Sequence, residues 1–94
     1  MRVISQDGTI DVPYEISSLI MASGKYEDVE HAAIYCHNYS TTMGTKMAEY
    51  SSKEKAKKAM EMLRKAWINE TVEFEDGIYH RNIIFQFPSE EELE

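Results

Sequence analysis

Residues 51–67, SSKEKAKKAMEMLRKAW, decide the fold. Ala56, Ala59, Met60, Leu63, Ala66 and Trp67 recur at spacings of three and four, which places them on one side of a helix for about four turns. The opposite side carries Lys53, Lys57, Glu61, Arg64 and Lys65. Ser51-Ser52-Lys53-Glu54 fits a capping box, in which the first serine hydroxyl accepts from the first turn and Glu54 reaches back to its amide. The spacing predicts an amphipathic helix over about 52–68. Met62 stands off the apolar stripe and hints at a second packing partner.

Such a helix needs a surface to cover, and the flanking sequence supplies strands. Val3-Ile4 and Thr9 to Val12 bracket Gln6-Asp7-Gly8, and an Asp-Gly between apolar segments signals a hairpin because glycine accepts positive φ. The expected strands are 2–5 and 9–12, with Pro13 suited to a strand end because it lacks a ladder donor. Ile16 to Met21 fits a strand or a short helix, with the strand preferred, and Ser23-Gly24-Lys25 reads as its break. Ala32 to Tyr39 and Lys46 to Tyr50 form a second expected hairpin around residues 40–44. After the helix, Val72 and Phe74 alternate up to an Asp76-Gly77 turn, and Ile78 to Phe87 reads as one final strand ended by Pro88. The expected class is α+β, a small and largely antiparallel sheet packed by one long amphipathic helix. No repeat and no linker divides the chain, so 1–88 reads as one domain and 89–94 as an acidic, solvated tail.

Ninety-four residues leave room for one modest core, with about 5,600 Å² of surface exposed when folded. A hydrophobic content of 43% with ten aromatics is that of a globular chain rather than a disordered one. The longest apolar runs fall far short of a membrane span, and no basic-then-apolar leader is present, so a cytoplasmic protein is expected. Cys36 is the lone cysteine, which excludes an internal disulfide and a zinc-finger spacing. The net charge of −7 disfavours nucleic-acid backbones, although Glu90, Glu91, Glu92 and Glu94 supply four of those charges at one end.

The chemistry-bearing residues argue for binding rather than catalysis. His31, His37 and His80 show no paired spacing for a metal, and Cys36 and His37 point to opposite faces of a strand, which keeps them apart as nucleophile and base. Gly8, Gly24, Gly44 and Gly77 are isolated, so no phosphate loop exists. Neither a metal nor a cofactor is expected. The arginines are scarcer and more informative: Arg2, Arg64 and Arg81 are the only three. Guanidinium suits bidentate phosphate recognition, and Tyr79-His80-Arg81-Asn82 sets a stacking ring, donors and an amide within four residues. The plain alternative is that Arg64 and Arg81 pair with surface carboxylates while Tyr79 covers a core edge.

Three segments, RVISQDGTIDVPYE (2–15), MAEYSSKEKAKKAMEMLRKAW (47–67) and IFQFPSEEEL (84–93), cover about half the chain in the expected order. In them the sequence resembles a family of small accessory proteins encoded in phages and prophages of Gram-positive bacteria. It is similar there to the family of the first Thoeris anti-defence protein, sponges that sequester cyclic ADP-ribose signals, with relatives that trap cyclic oligonucleotides. The resemblance implies a non-enzymatic homo-oligomer, built from dimers and reaching a hexamer, with ligand pockets shared between chains in the host cell cytoplasm. It places the family's ligand-binding arginines on Arg64 and Arg81, with Asn82 and Tyr79 beside the latter. The chain departs from that pattern by being short between the helix and the final strand. Nanomolar capture requires about −12 kcal/mol, whereas two arginines and two stacked rings supply roughly 5–12 gross, before association costs of at least about 4. A pocket between chains meets that demand. Other readings stay open: an acidic phage inhibitor that binds a host defence protein directly, an enzyme acting on the signal, or a virion component.

Overall fold

The computed structural model describes residues 1–37, 44–69, 71–74, 77–80 and 84–93, with side chains outside 71–80. Its helix, α1, spans Lys53–Asn69 and buries Ala56, Ala59 and Leu63, the stripe read from the sequence. Two alanines at the contact let the helix backbone lie close to what it covers. That surface is formed by β3 (Ser18–Tyr26), β4 (Val29–His37) and β5 (Thr45–Tyr50), an antiparallel sheet in the order β3-β4-β5. Ala32, Ile34 and Cys36 of β4 alternate into the core, as a half-buried strand requires. A second sheet, in the order β2-β1-β8, joins β1 (Arg2–Ile4) to β2 (Asp11–Pro13) antiparallel and to β8 (Ile84–Gln86) parallel. A hairpin of β6 (Thr71–Phe74) and β7 (Gly77–His80) follows the helix. The fold is therefore α+β, and Val3, Ile34, Tyr50, Ala56, Leu63 and Phe87 meet in one core drawn from both three-stranded sheets and the helix.

The first hairpin forms as expected, and Gly8 has the positive φ of 78° that its turn needs. Ser5, although buried, is fully used: its hydroxyl oxygen accepts from the Ile10 amide at 3.0 Å and its O–H donates to Asp7 at 2.7 Å. Donors from Ser5 and Thr9 pull the Asp7 carboxyl down to about 2, so the turn is clamped by a carboxylate at any ordinary pH. Gln6 then ties the two sheets together. Its amide donates to the Met47 carbonyl at 2.7 Å and its side-chain oxygen accepts from the Glu49 amide at 3.0 Å. Met47 sits where the β4–β5 register shifts, a bulge that buries both Met47 and Ala48.

Four expectations are corrected. β3 does not break at Ser23-Gly24-Lys25; it runs through to Tyr26, with Gly24 extended opposite His31. The chain reverses instead at Glu27 and Asp28, whose φ values of 51° and 64° define a two-residue turn of the primed type. Ladder pairing along nine residues overrides the weak strand preference of a single glycine. Likewise, Ile78 to Phe87 is not one strand, because β7 pairs with β6 while β8 lies beside β1 in another sheet. Residues 40–43 and 75–76, where two of the expected turns fall, lie outside the described residues. The helix cap also differs. Ser52, not Ser51, accepts from the Lys55 amide at 3.2 Å, and the carboxylates reaching the first turn come from other elements. Glu30 of β4 accepts from the Lys53 amide at 2.9 Å, and Glu90 accepts from Ser51. Finally, the acidic end is held on the domain: Glu91–Leu93 forms a 3-10 turn that buries Leu93.

The turn yields a direct stability test. Non-glycine residues at positive φ cost roughly 1–2 kcal/mol each relative to ordinary conformations. Glu27→Asn with Asp28→Gly is therefore expected to stabilise the domain by about 1 kcal/mol and raise Tm by about 4–8 °C. A thermal melt that is unchanged or lowered would show that another contact holds the turn.

Candidate functional site

Two surfaces carry the groups that could meet a ligand, one on the helix side and one on the uncovered face of the β3-β4-β5 sheet. On the helix side Arg64 points outward from α1, exposed, one turn before an Ile68 that is 67% exposed. Among the described residues Arg64 has no ion pair. Trp67, on the buried side of the same turn, packs against Tyr14 with ring centroids 4.9 Å apart. This contact fixes the rotation of the helix and hence the direction in which Arg64 projects. Tyr79 occupies β7 opposite Val72. Arg81 and Asn82 lie outside the described residues. Of the four residues singled out by sequence, the structure thus locates Arg64 fully and Tyr79 by its strand position. Among the described residues no contact brings two of them together.

The second surface follows from strand alternation. Residues paired across an antiparallel ladder share a face, so Ile20 with Tyr35, Ala22 with Ala33, Gly24 with His31 and Tyr26 with Val29 all point away from α1. Lys46 and Glu49 join them from β5, opposite Tyr35 and Ala33. Ala22, Gly24 and Ala33 are small, and they floor a concavity of about 330 Å³ walled by Tyr26, His31, Tyr35, Lys46 and Glu49.

Electrostatically this hollow is balanced. Lys46 Nζ donates to Glu49 Oε2 at 3.0 Å, and that hydrogen bond and charge hold the ammonium above its usual range. Lys46 is therefore a donor and not a base. His31 Nδ1 stands 3.9 Å from the other Glu49 oxygen. The arrangement offers two rings, a cation and an imidazole to a flat, partly charged molecule. It presents no activated nucleophile. Among the described residues no cluster of three or more His, Cys, Asp or Glu is placed to hold a metal ion.

Sequence reasoning missed this hollow because reading Ser23-Gly24-Lys25 as a break removed half of its floor. The signal available was the alternation Val29, His31, Ala33, Tyr35, His37, which sets imidazoles and a ring on one face of a strand. Cys36 behaves as expected, buried on the core face with His37 on the other.

No protein-family model, curated protein or solved structure matches the chain. Among the described residues no helix is long and apolar enough to cross a membrane.

Proposed function

We propose that the protein captures a cyclic nucleotide immune signal, of cyclic ADP-ribose type or a cyclic oligonucleotide, and holds it without cleaving it. In this reading it is a phage anti-defence protein that works in the host cytoplasm, as a homo-oligomer, with Arg64, Tyr79, Arg81 and Asn82 gripping the ligand. The observation that carries the reading is Arg64, a guanidinium exposed beside Ile68 and free of ion pairs among the described residues. A cation free of ion pairs among the described carboxylates of an acidic chain retains its capacity for a phosphate. Net charge does not oppose this, since charges beyond about 8–10 Å are largely screened at physiological salt. The segment resemblance supplies the ligand class.

Calorimetry with cyclic ADP-ribose isomers and cyclic di- and trinucleotides tests the proposal, with chromatography of the recovered ligand to show that it is unaltered. A charged hydrogen bond contributes roughly 1.5–3 kcal/mol, so Arg64→Ala is expected to weaken binding by about 10- to 150-fold. Absence of heat with every ligand in a folded sample, or an unchanged affinity in Arg64→Ala, removes the reading.

A further inference from the structure

The sheet that α1 covers ends at β3, and β3 is an open edge. Among the described residues nothing pairs with its outer side, and its nine residues run without proline or bulge opposite β4. Proteins usually blunt such an edge with charges, proline or a bulge. Here Lys25 is the only charge.

We propose that the edge is completed by a second copy of this chain, β3 against β3, antiparallel, about a two-fold axis at Ala22. The register follows from the turn. In a two-residue hairpin loop the flanking residues, Tyr26 and Val29, exchange both of their backbone hydrogen bonds, and the pattern then alternates along the ladder. Ser18, Ile20, Ala22, Gly24 and Tyr26 therefore direct their N–H and C=O groups at β4. Leu19, Met21, Ser23 and Lys25 direct theirs at the open edge. Pairing about Ala22 sets Met21 opposite Ser23 and Leu19 opposite Lys25, so all four outward residues find partners at once. A shift by two residues either way leaves an outward residue of each strand unpaired.

Side chains agree with that register. Ala22 faces Ala22 of the partner subunit, with no bulk at the axis. Gly24 faces Ile20 of the partner subunit, which covers the one residue of the edge that lacks a side chain. No like charges meet, because Lys25 lies across from Leu19 of the partner subunit. The two hollows floored by Ala22 and Gly24 become neighbours on one continuous sheet face, and each gains Ile20 of the partner subunit on its floor. The inference takes from the proposed function only its homo-oligomer, gives it a surface, and holds for any ligand.

Thiol cross-linking reads the register directly, in a Cys36→Ala background. Opposed residues of a non-hydrogen-bonded antiparallel pair have Cα atoms about 4.5 Å apart, within the disulfide range of about 4.4–6.8 Å. Ala22→Cys is thus expected to oxidise to a covalent dimer. Ile20→Cys is expected to stay reduced, because its two-fold mate lies about 14 Å away along the strands. Light scattering across a hundredfold concentration range is expected to give an even number of chains for the unmodified protein. Ser23→Pro removes an outward donor without touching the β3–β4 ladder and is expected to halve the mass while keeping the helical circular dichroism. A single-chain mass at every concentration, cross-linking at Ile20 in place of Ala22, or an undiminished assembly in folded Ser23→Pro overturns the proposal. Should Ser23→Pro unfold, the two cysteine variants decide alone. None of these readouts involves ligand, so calorimetry can fail while the dimer stands, and the reverse.

Discussion

Removal of residues 89–94 is expected to destabilise the domain by about 2.5–4 kcal/mol, the sum of Leu93 burial at about 1.5–3 and one net hydrogen bond at about 1. Leu93 is 4% exposed, and its carbonyl accepts from Lys58 Nζ at 2.8 Å, so the end of the chain is pinned to α1 by packing and by polar contact. Glu90 adds a cap for the approach to the helix by accepting from Ser51, with Lys55 Nζ 3.8 Å from the same carboxylate. Hydrogen bonds from Ser51 hold the Glu90 carboxyl below the usual carboxylate range. The sign follows from linkage: the Glu90 contribution is present above the unfolded value of about 4.3 and is lost as pH falls through the lower folded value. Urea denaturation at pH 7 checks the truncation, and Leu93→Asp should reproduce most of the loss while the exposed Glu91→Gln leaves the midpoint in place. A truncated chain with an unchanged midpoint would return these residues to the status of a solvated tail.

Phe87→Ala carries the larger expected effect, about 3–5 kcal/mol. The ring is 1% exposed and meets Phe85 edge-on, with centroids 5.6 Å apart and planes at 86°. Its amide donates to the Ile4 carbonyl at 3.0 Å, so Phe87 extends the parallel pairing of β8 with β1 by one residue. Deleting the ring opens a cavity between the two sheets, where a backbone held by hydrogen bonds cannot collapse to fill it. A domain of this length has a total stability of roughly 5–14 kcal/mol, so the variant is expected to be marginal or unfolded at 37 °C. Phe87→Leu keeps much of the volume and should lose less than half as much. Denaturant midpoints that fall with unchanged slopes would confirm a loss of packing, and a Phe87→Ala midpoint close to the parent would place Phe87 outside the cooperative core.

Local signals proved legible wherever the structure stays local. The Ala56–Ala59–Leu63 stripe forms the buried side of α1, because a 3.6-residue period has one geometric meaning. Asp7-Gly8 makes its turn because only a few residue types tolerate positive φ. The α+β class followed from both. Where a choice depended on pairing with another element, the sequence pattern misled. Ser23-Gly24-Lys25 has the composition of a turn, yet β4 draws it into a ladder, and the reversal moves to Glu27-Asp28, which has none of the usual glycine or asparagine. The four glutamates near the end look solvated because charge patterning records nothing of Leu93 between them, buried beneath α1.

The candidate sites divide along the same line. Arg64 was identifiable by its scarcity, and the structure adds that it is exposed and free of ion pairs among the described residues. The hollow on the β3-β4-β5 sheet was not legible, because Ala22, His31 and Glu49 come from three strands and meet only through register. The amino-acid sequence alone determined the helix, its apolar side, the first turn and an acidic chain with three guanidinium groups, since each depends on residues within a few positions of one another. Tertiary structure decided which strands share a sheet, which carboxylates cap the helix and which strand has no outer neighbour among the described residues. Those outcomes depend on ladder pairing and burial between distant segments, and such energies are fixed only when the whole chain has closed on its core.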